Sequence, residues 1–321
     1  MMEKILKYRN FCKENKNIPV FLTDWWLDAV CGKDNWDVAT VIKDGKITAF
    51  LPFWVKRHLL LFNICVLPRL TQFLGPWIDY PSDLKESNRT DFEKKIMTEL
   101  ISQIPKTDYF EQNFHFSVTN WLPFYWKNFR QTTRYTYIIE DLSYPERIYE
   151  KFHSEKRYKI KKASERLTVK FDLGYKEFYD HHKKSLSKRG AKILYSEELF
   201  ERIYRSAYEN KAGRTAYAVD EKGNIHSAIF VIWSKYSAYY LINSIDEEFK
   251  SSDSVSLLTW EMIKFLSGKT YRFDFEGSMI EQVERSFRQY GTVQRSYFNI
   301  SRTDSALFGI FKLIRDKTRR I

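Results

Sequence analysis

The sequence predicts an α/β protein with mixed, partly antiparallel sheets, arranged as two tandem copies of one domain. Three observations predict this. The chain has 321 residues, 43% of them hydrophobic, which supplies two cores more comfortably than one. Segments of helical and strand periodicity alternate in an order that builds α/β layers. That order also recurs, with short matching sequences at corresponding places, as in an internal duplication.

The first copy opens with an amphipathic helix in Phe21–Val30, then a strand at Trp36–Ile42, a turn at Gly45 and a long strand that ends in Trp54. The second repeats the series with a helix from Phe200 to Tyr208, a strand at Thr215–Val219, a turn at Gly223 and a strand that ends in Trp233. Ile47 and Ile225 each sit two residues past the glycine, which supplies the positive φ of a tight hairpin. Downstream, Phe129-Arg-Gln and Phe287-Arg-Gln each lead from a helix into a strand.

In the second half, Ser237–Ile245 reads as the next strand. Ser254–Leu266 reads as a helix with Val255, Leu258, Met262, Phe265 and Leu266 on one face and a cap from Ser251, Ser252 or Asp253. A strand at Tyr271–Phe275, a helix at Ile280–Gln289 and a strand at Gln294–Ile300 complete it. Pro145 fits the first turn of a helix that continues to about Leu167. The expected domains are therefore 1–141 and 142–321, with a basic helix opening the second.

Composition narrows the function classes. The net charge of +12 favours anionic partners. The stretch Lys151 to Lys192 alone holds 14 Lys or Arg against 5 Asp or Glu, so that a solvated helix face and a phosphate-binding stripe are both open readings. Cys12, Cys31 and Cys65 have no metal or disulfide spacing, and the histidines form no ligand motif, so no metal is expected. The basic, acidic and polar mixture at 1–16 lacks the apolar core of a signal peptide, and the apolar run near Leu59–Leu67 is too short to span a bilayer. The expected location is cytoplasmic.

Several segments carry a family likeness. Ile18-Pro-Val-Phe, Asp24-Trp-Trp-Leu-Asp-Ala-Val-Cys, Thr71-Gln-Phe-Leu-Gly-Pro-Trp, Ser154-Glu-Lys-Arg-Tyr-Lys-Ile-Lys-Lys-Ala and Phe273-Asp-Phe-Glu-Gly-Ser-Met-Ile together resemble a FemAB-like branch of the GNAT acyltransferases. The resemblance covers most of the chain. It implies two tandem GNAT-like acyl-CoA N-acyltransferase folds and transfer of an acyl or aminoacyl group to an amine. The founding members use aminoacyl-tRNA to extend peptidoglycan precursors, and some carry a long helical arm that this chain lacks. The co-substrate is thus acyl-CoA or aminoacyl-tRNA. The acceptor is an amine on a cell-envelope precursor, an amino sugar or a lipid, with tRNA and a membrane surface as further candidate partners and DNA not expected.

In a GNAT fold the donor phosphates lie at a helix N-terminus, where free N–H groups and the helix dipole favour anions. By that likeness the place is Asp246–Ser254. Candidate donor contacts are Ser251, Ser252 and Ser254, with Asn243 on the strand before and Gly277 and Ser278 after the next strand. The segment has no glycine, and Glu247, Glu248 and Asp253 would repel a pyrophosphate. This departs from the Q/R-x-x-G-x-G/A loop of coenzyme A binders and keeps a second reading open, a lapsed GNAT fold that binds RNA or anionic lipid without turnover.

Amine acylation needs a group that takes the amine proton. Asp274, Glu276 and Ser278 alternate and so share one face if the strand continues. Glu276 beside Gly277 is the first candidate base and Asp274 the second, with an ion pair to Arg272 as the structural alternative. Lys156, Arg157 and Lys161 on the basic helix, with Gln72 and Trp77 in the first half, are candidates for acceptor or phosphate binding. One of Trp25 and Trp26 is expected in the first domain's core, and one of His181 and His182 inside with the other exposed. The C-terminal Ser305–Ile321 reads as a basic amphipathic helix with Leu307, Ile310, Phe311 and Ile314 on its apolar side, suited to packing or to an acidic membrane surface.

Overall fold

In the computed structural model, residues 2–318 are described. Thirteen strands follow in chain order: β1 (Asp37–Lys43), β2 (Lys46–Phe53), β3 (Val55–His58), β4 (Phe62–Val66), β5 (Trp77–Ile78), β6 (Tyr109–Asn113), β7 (Arg130–Ile139), β8 (Thr168–Phe171), β9 (Gly213–Val219), β10 (Ile225–Trp233), β11 (Ser237–Ile245), β12 (Arg272–Asp274) and β13 (Val293–Thr303). The helices are α1 (Met2–Glu14), α2 (Asp24–Cys31), α3 (Glu86–Ser102), α4 (Leu122–Tyr125), α5 (Pro145–Lys151), α6 (Ser154–Ser164), α7 (Tyr175–Lys188), α8 (Glu197–Glu209), α9 (Ser254–Leu266), α10 (Glu281–Arg288) and α11 (Ala306–Thr318). Arg319, Arg320 and Ile321, which end the C-terminal helix expected at Ser305–Ile321, lie outside the described residues. None of the described helices is long and apolar enough to cross a membrane.

The contacts divide into two compact units. One holds Met1–Asn15, Cys31–Arg134 and Ser296–Ile321; the other holds Lys16–Val30 and Tyr135–Arg295. The chain therefore interleaves the units, where the sequence suggested a single cut between 141 and 142. Two features cause this: Lys16–Val30 joins the second unit, and the last strands of the two repeats are exchanged. Within the first unit the strand order is β3-β4-β6-β13, beside a small β1-β2-β5 sheet. Within the second it is β7-β12-β11-β10-β9-β8. Thus β13, last in the second repeat, lies against β6, and β7, last in the first repeat, lies against β12.

Each unit has the mixed sheet expected. β4 and β6 are parallel, as are β11 and β12, and antiparallel neighbours flank both pairs. Gly45 and Gly223 have φ of 78° and 84°, the left-handed turns read from the sequence. The helix α9 has the bounds its apolar spacing gives. Leu257, Leu258, Met262, Ile263 and Leu266 are buried with Phe273, Phe275 and Tyr290 in the second unit's core.

Two elements differ from the sequence reading. The basic helix is broken into α5 and α6. Phe152 ends the first in extended conformation, and His153 caps the second by accepting from the Glu155 N–H. Arg157 spans the break and donates to the carbonyls of Glu150 at 2.7 Å and Phe152 at 2.8 Å. Trp26 is core, but in the second unit. It packs edge-on to Phe21, which lies 4.7 Å from Tyr239.

Candidate active site

The second unit carries a parallel crossover, β11 to α9 to β12. Its pairing stops at Tyr239↔Asp274, while β11 runs on to Ile245 against β10. The two parallel strands therefore part company at Asp274. In an open α/β sheet the mouth beyond the carboxyl ends of parallel strands is where ligands bind.

β12 is shorter than its sequence suggests because the chain turns sharply after it. Glu276 and Gly277 both take the left-handed conformation, with φ of 61° and 66°. A Cβ on Gly277 would fall 2.0 Å from the Tyr135 carbonyl oxygen, so only glycine fits. Asp274, Glu276 and Ser278 consequently do not alternate along one strand. They are brought together, where they meet, by the turn.

Asp274 is buried and accepts from the Thr136 hydroxyl and, at 2.7 Å, from the Glu276 N–H. The Glu276 carboxyl is driven well above the usual carboxylate range, first by burial and then by repulsion from Asp274. Its Oε1 is buried with no hydrogen-bond partner among the described residues. A buried carboxyl paired with a second one, with an oxygen unspent, is arranged to hold and release a proton. Tyr239, opposite Asp274 in the register, is fully buried, and burial and the nearby Asp274 push its phenol up.

The entrance to α9 is a short 3-10 helix, Glu247–Ser252, followed by Asp253 at φ 58°. Asp253 occupies the cap position but its side chain makes no capping bond. Two of the three acids that would repel a phosphate are ion-paired: Glu248 meets Lys188, and Glu247 meets Arg189 and Lys250, while Asp246 before them meets Lys184 and Lys188, all within 2.6–3.1 Å. Asp253, the third, makes no ion pair among the described residues. Burial raises Asp246, yet the hydrogen bonds from Lys188, the Glu248 N–H and Lys184 prevail and hold it below the usual range. Ser251 is exposed, Ser254 is buried, and the half-buried Ser252 has a hydroxyl without a partner among the described residues.

Lys156 departs most from expectation. It is buried, with its ammonium 4.4 Å over the Tyr290 ring and 3.5 Å from the Ser286 hydroxyl. Burial and the neighbouring Lys159 lower it to about 8, against attraction from Glu155 and Asp253. Lys159 is tied to Glu155 at 2.8 Å and Arg157 to two carbonyls, so the anticipated stripe is dispersed. Lys161 is exposed, as is Asn243 on β11. The Ser278 hydroxyl accepts from the Ile280 N–H at 3.0 Å.

In the first unit, Trp77 belongs to β5. It stacks on Phe50 at 5.1 Å and meets Phe11 edge-on, as a packing residue. Gln72 is half-buried; its carbonyl accepts from Asn113, and its Oε1 is buried without a partner among the described residues. Neither histidine of the adjacent pair is free in solvent. His182 is buried beside Tyr195 and lowered to about 4 by burial, and His181 bonds the Ser244 hydroxyl and the Ile225 carbonyl. The residues that sequence reasoning missed are Thr136 and Tyr239. Neither carries a motif, and only strand register places them beside Asp274.

A sequence profile of the acetyltransferase (GNAT) domain matches residues 150–279, the stretch that holds α6, the crossover and the acid pair. Among solved structures the fold is similar to FemX, with a TM-score of 0.67 at 13% identity over 91% of this chain and 95% of that one. Residues 150–279 are therefore similar to a GNAT acetyltransferase domain, and the fold of the chain is similar to that of FemX. A second similar structure is the C-terminal domain of a putative lysylphosphatidylglycerol synthetase from Agrobacterium fabrum, with a TM-score of 0.54, 9% identity and 94% and 92% of the two chains covered. A third is L-PGS from Bacillus licheniformis, with 0.52, 13% and 87% and 88%. A search of curated protein sequences returns no match. At these identities the structures speak for the fold and not for an activity or substrates.

Proposed function

We propose that this GNAT-type protein transfers an acyl or aminoacyl group from a thioester or aminoacyl ester to an amine, with Glu276 as the proton carrier. The observation that carries the reading is the buried Glu276 carboxyl, held in a left-handed turn at the mouth between parting parallel strands, with one oxygen unspent. The amine nitrogen attacks the donor carbonyl, the carbon–nitrogen bond forms, and the bond to sulfur or oxygen breaks. Ionised Glu276 takes the proton the amine sheds and returns it to the departing thiolate or alkoxide. A carboxyl raised well above its usual range suits both halves of that exchange. Asp274, fixed by Thr136 and the Glu276 N–H, keeps Glu276 raised and positioned.

The donor would lie at the α9 entrance, with Ser252, Ser254 and Gly277 nearest its phosphates or acyl carbonyl and Lys156 supplying charge behind them. Acyl-CoA and aminoacyl-tRNA remain the two donor classes. Lysylphosphatidylglycerol synthetase, the name attached to one similar fold, favours an aminoacyl donor and a lipid acceptor. The glycine-free entrance favours the second reading, a binding protein without turnover. Thermal unfolding with acetyl-CoA, longer acyl-CoAs and charged tRNA in parallel separates these, because a ligand of the folded state raises the midpoint. The stabilising donor should then acylate an amine in the wild type, and binding without product in every acceptor tried would sink the enzyme reading.

A further inference from the structure

We propose that the end of the first unit formed by the β3–β4 turn and helix α11 docks on an anionic lipid bilayer. This inference goes beyond acyl transfer and does not depend on it.

Helix α11 is apolar on two sides. Phe308 packs edge-on to Phe62 at 5.1 Å and stacks on Tyr109 at 5.0 Å, and Phe311 also faces Phe62. That inner contact leaves Leu307, Ile310 and Leu313 with 63%, 57% and 67% of their surface exposed. Of the four residues read from the sequence as one apolar face, Phe311 turns inward, whereas Leu307, Ile310 and Ile314 turn out. A helix that is apolar on both sides is built to have an apolar neighbour on each.

The turn between β3 and β4 repeats the pattern. Leu59, Leu60 and Leu61 are 58%, 80% and 74% exposed, and the first two adopt φ of 52° and 58°. Asparagine and glycine are the ordinary residues of such a turn. Leucine is strained there, and these side chains bury little within the fold in return. The turn and helix belong to one packed piece, because His58 and Phe62, which flank the turn, touch both Phe308 and Phe311.

The ground beside these aliphatic side chains is basic. One groove is lined by Lys106, Lys127 and Arg302, and a second by Arg130, Arg302 and Lys312 together with Leu313. Asp304 and Arg302 pair at 2.9 Å and cancel, and Asp108, which accepts from the Asn63 N–H at 2.8 Å, stands against Lys106, Lys127, Arg130 and Lys312, so cations are in excess. Exposed aliphatic side chains next to cations give the two signals that stable peripheral membrane binding requires. The protruding leucine tip has no aromatic anchor of the kind that dominates protein–protein interfaces, which favours a bilayer over a protein partner.

The test is flotation of the full chain with phosphatidylcholine vesicles, with and without phosphatidylglycerol. Wild type should float only with the anionic vesicles, and less at high salt. Leu60→Asp with Leu313→Asp should weaken binding about tenfold or more, without changing circular dichroism or acylation of a water-soluble amine. Lys106→Glu with Lys127→Glu, which leaves the apolar face intact, should weaken it about tenfold as well. Absence of wild-type flotation, or equal flotation of the wild type and both variants, overturns the proposal. So does a wild-type dimer that the leucine variant abolishes in the absence of any vesicle binding, since the face would then serve a second copy of this chain.

Discussion

At Glu276–Gly277 and again at Leu59–Leu60 the backbone places two consecutive residues in the left-handed region, once at a buried carboxyl in the second unit and once at an exposed tip in the first. The first pair includes a glycine that nothing else could replace, since the Tyr135 carbonyl occupies the space of any Cβ. The second has two leucines and no glycine. At the half-buried Glu276–Gly277 turn the neighbouring Tyr135 backbone enforces the conformation, whereas the exposed leucine turn has little packed against it to do so. The two strained turns thus sit at the two places proposed for function, the proton carrier and the docking surface.

The comparison breaks most readily at the glycine. Gly277→Ala should destabilise the fold by about 3 kcal/mol or more, because the new methyl meets backbone that cannot yield. Urea unfolding measures this, and a loss below 1 kcal/mol would mean that the turn relaxes at little cost. Glu276→Gln tests the same turn through its charge. It should lower kcat/KM by about a hundredfold or more and remove the rise of wild-type activity with pH as the carboxyl ionises. Stability should respond in the opposite sense. Because the folded carboxyl is raised, wild type is most favoured below about 4.5, the carboxyl's ordinary value, and loses stability as pH climbs through the folded value, a slope that glutamine abolishes. Equal slopes in the two proteins would show that Glu276 is ionised in the fold. At the exposed pair the change is smallest and of opposite sign. Leu59→Asn with Leu60→Gly should stabilise the protein by about 1 kcal/mol, and a loss of stability would mean that the leucines pack within the fold after all.

Much of the fold was readable from the sequence because it rests on local signals. The α9 helix follows from apolar spacing, and the Gly45 and Gly223 turns from the need for positive φ. The site was readable only in part. Asp274 and Glu276 drew attention as neighbouring acids, but not the turn that ends β12 between them, since a left-handed glutamate has no sequence signature. Lys156 looked like one more member of a solvated charge run. Its burial comes from Tyr290 and Ser286, more than a hundred residues along the chain, which no local pattern contains. The break before α6 was hidden for a similar reason, because a histidine cap and the Arg157 clamp replace the usual Ser or Asp signal.

The exchange of last strands also sets a timetable for synthesis. β6 finds its partner in β13, and the buried Asn299 side chain donates to Asn113 at 2.8 Å across 186 residues of chain. A ribosome working from the N-terminus must pass β13 before the first unit's sheet can close. Until then β6 keeps an open strand edge of the kind that recruits wrong partners, and this places the greatest risk of misassembly in the half of the chain that is made first.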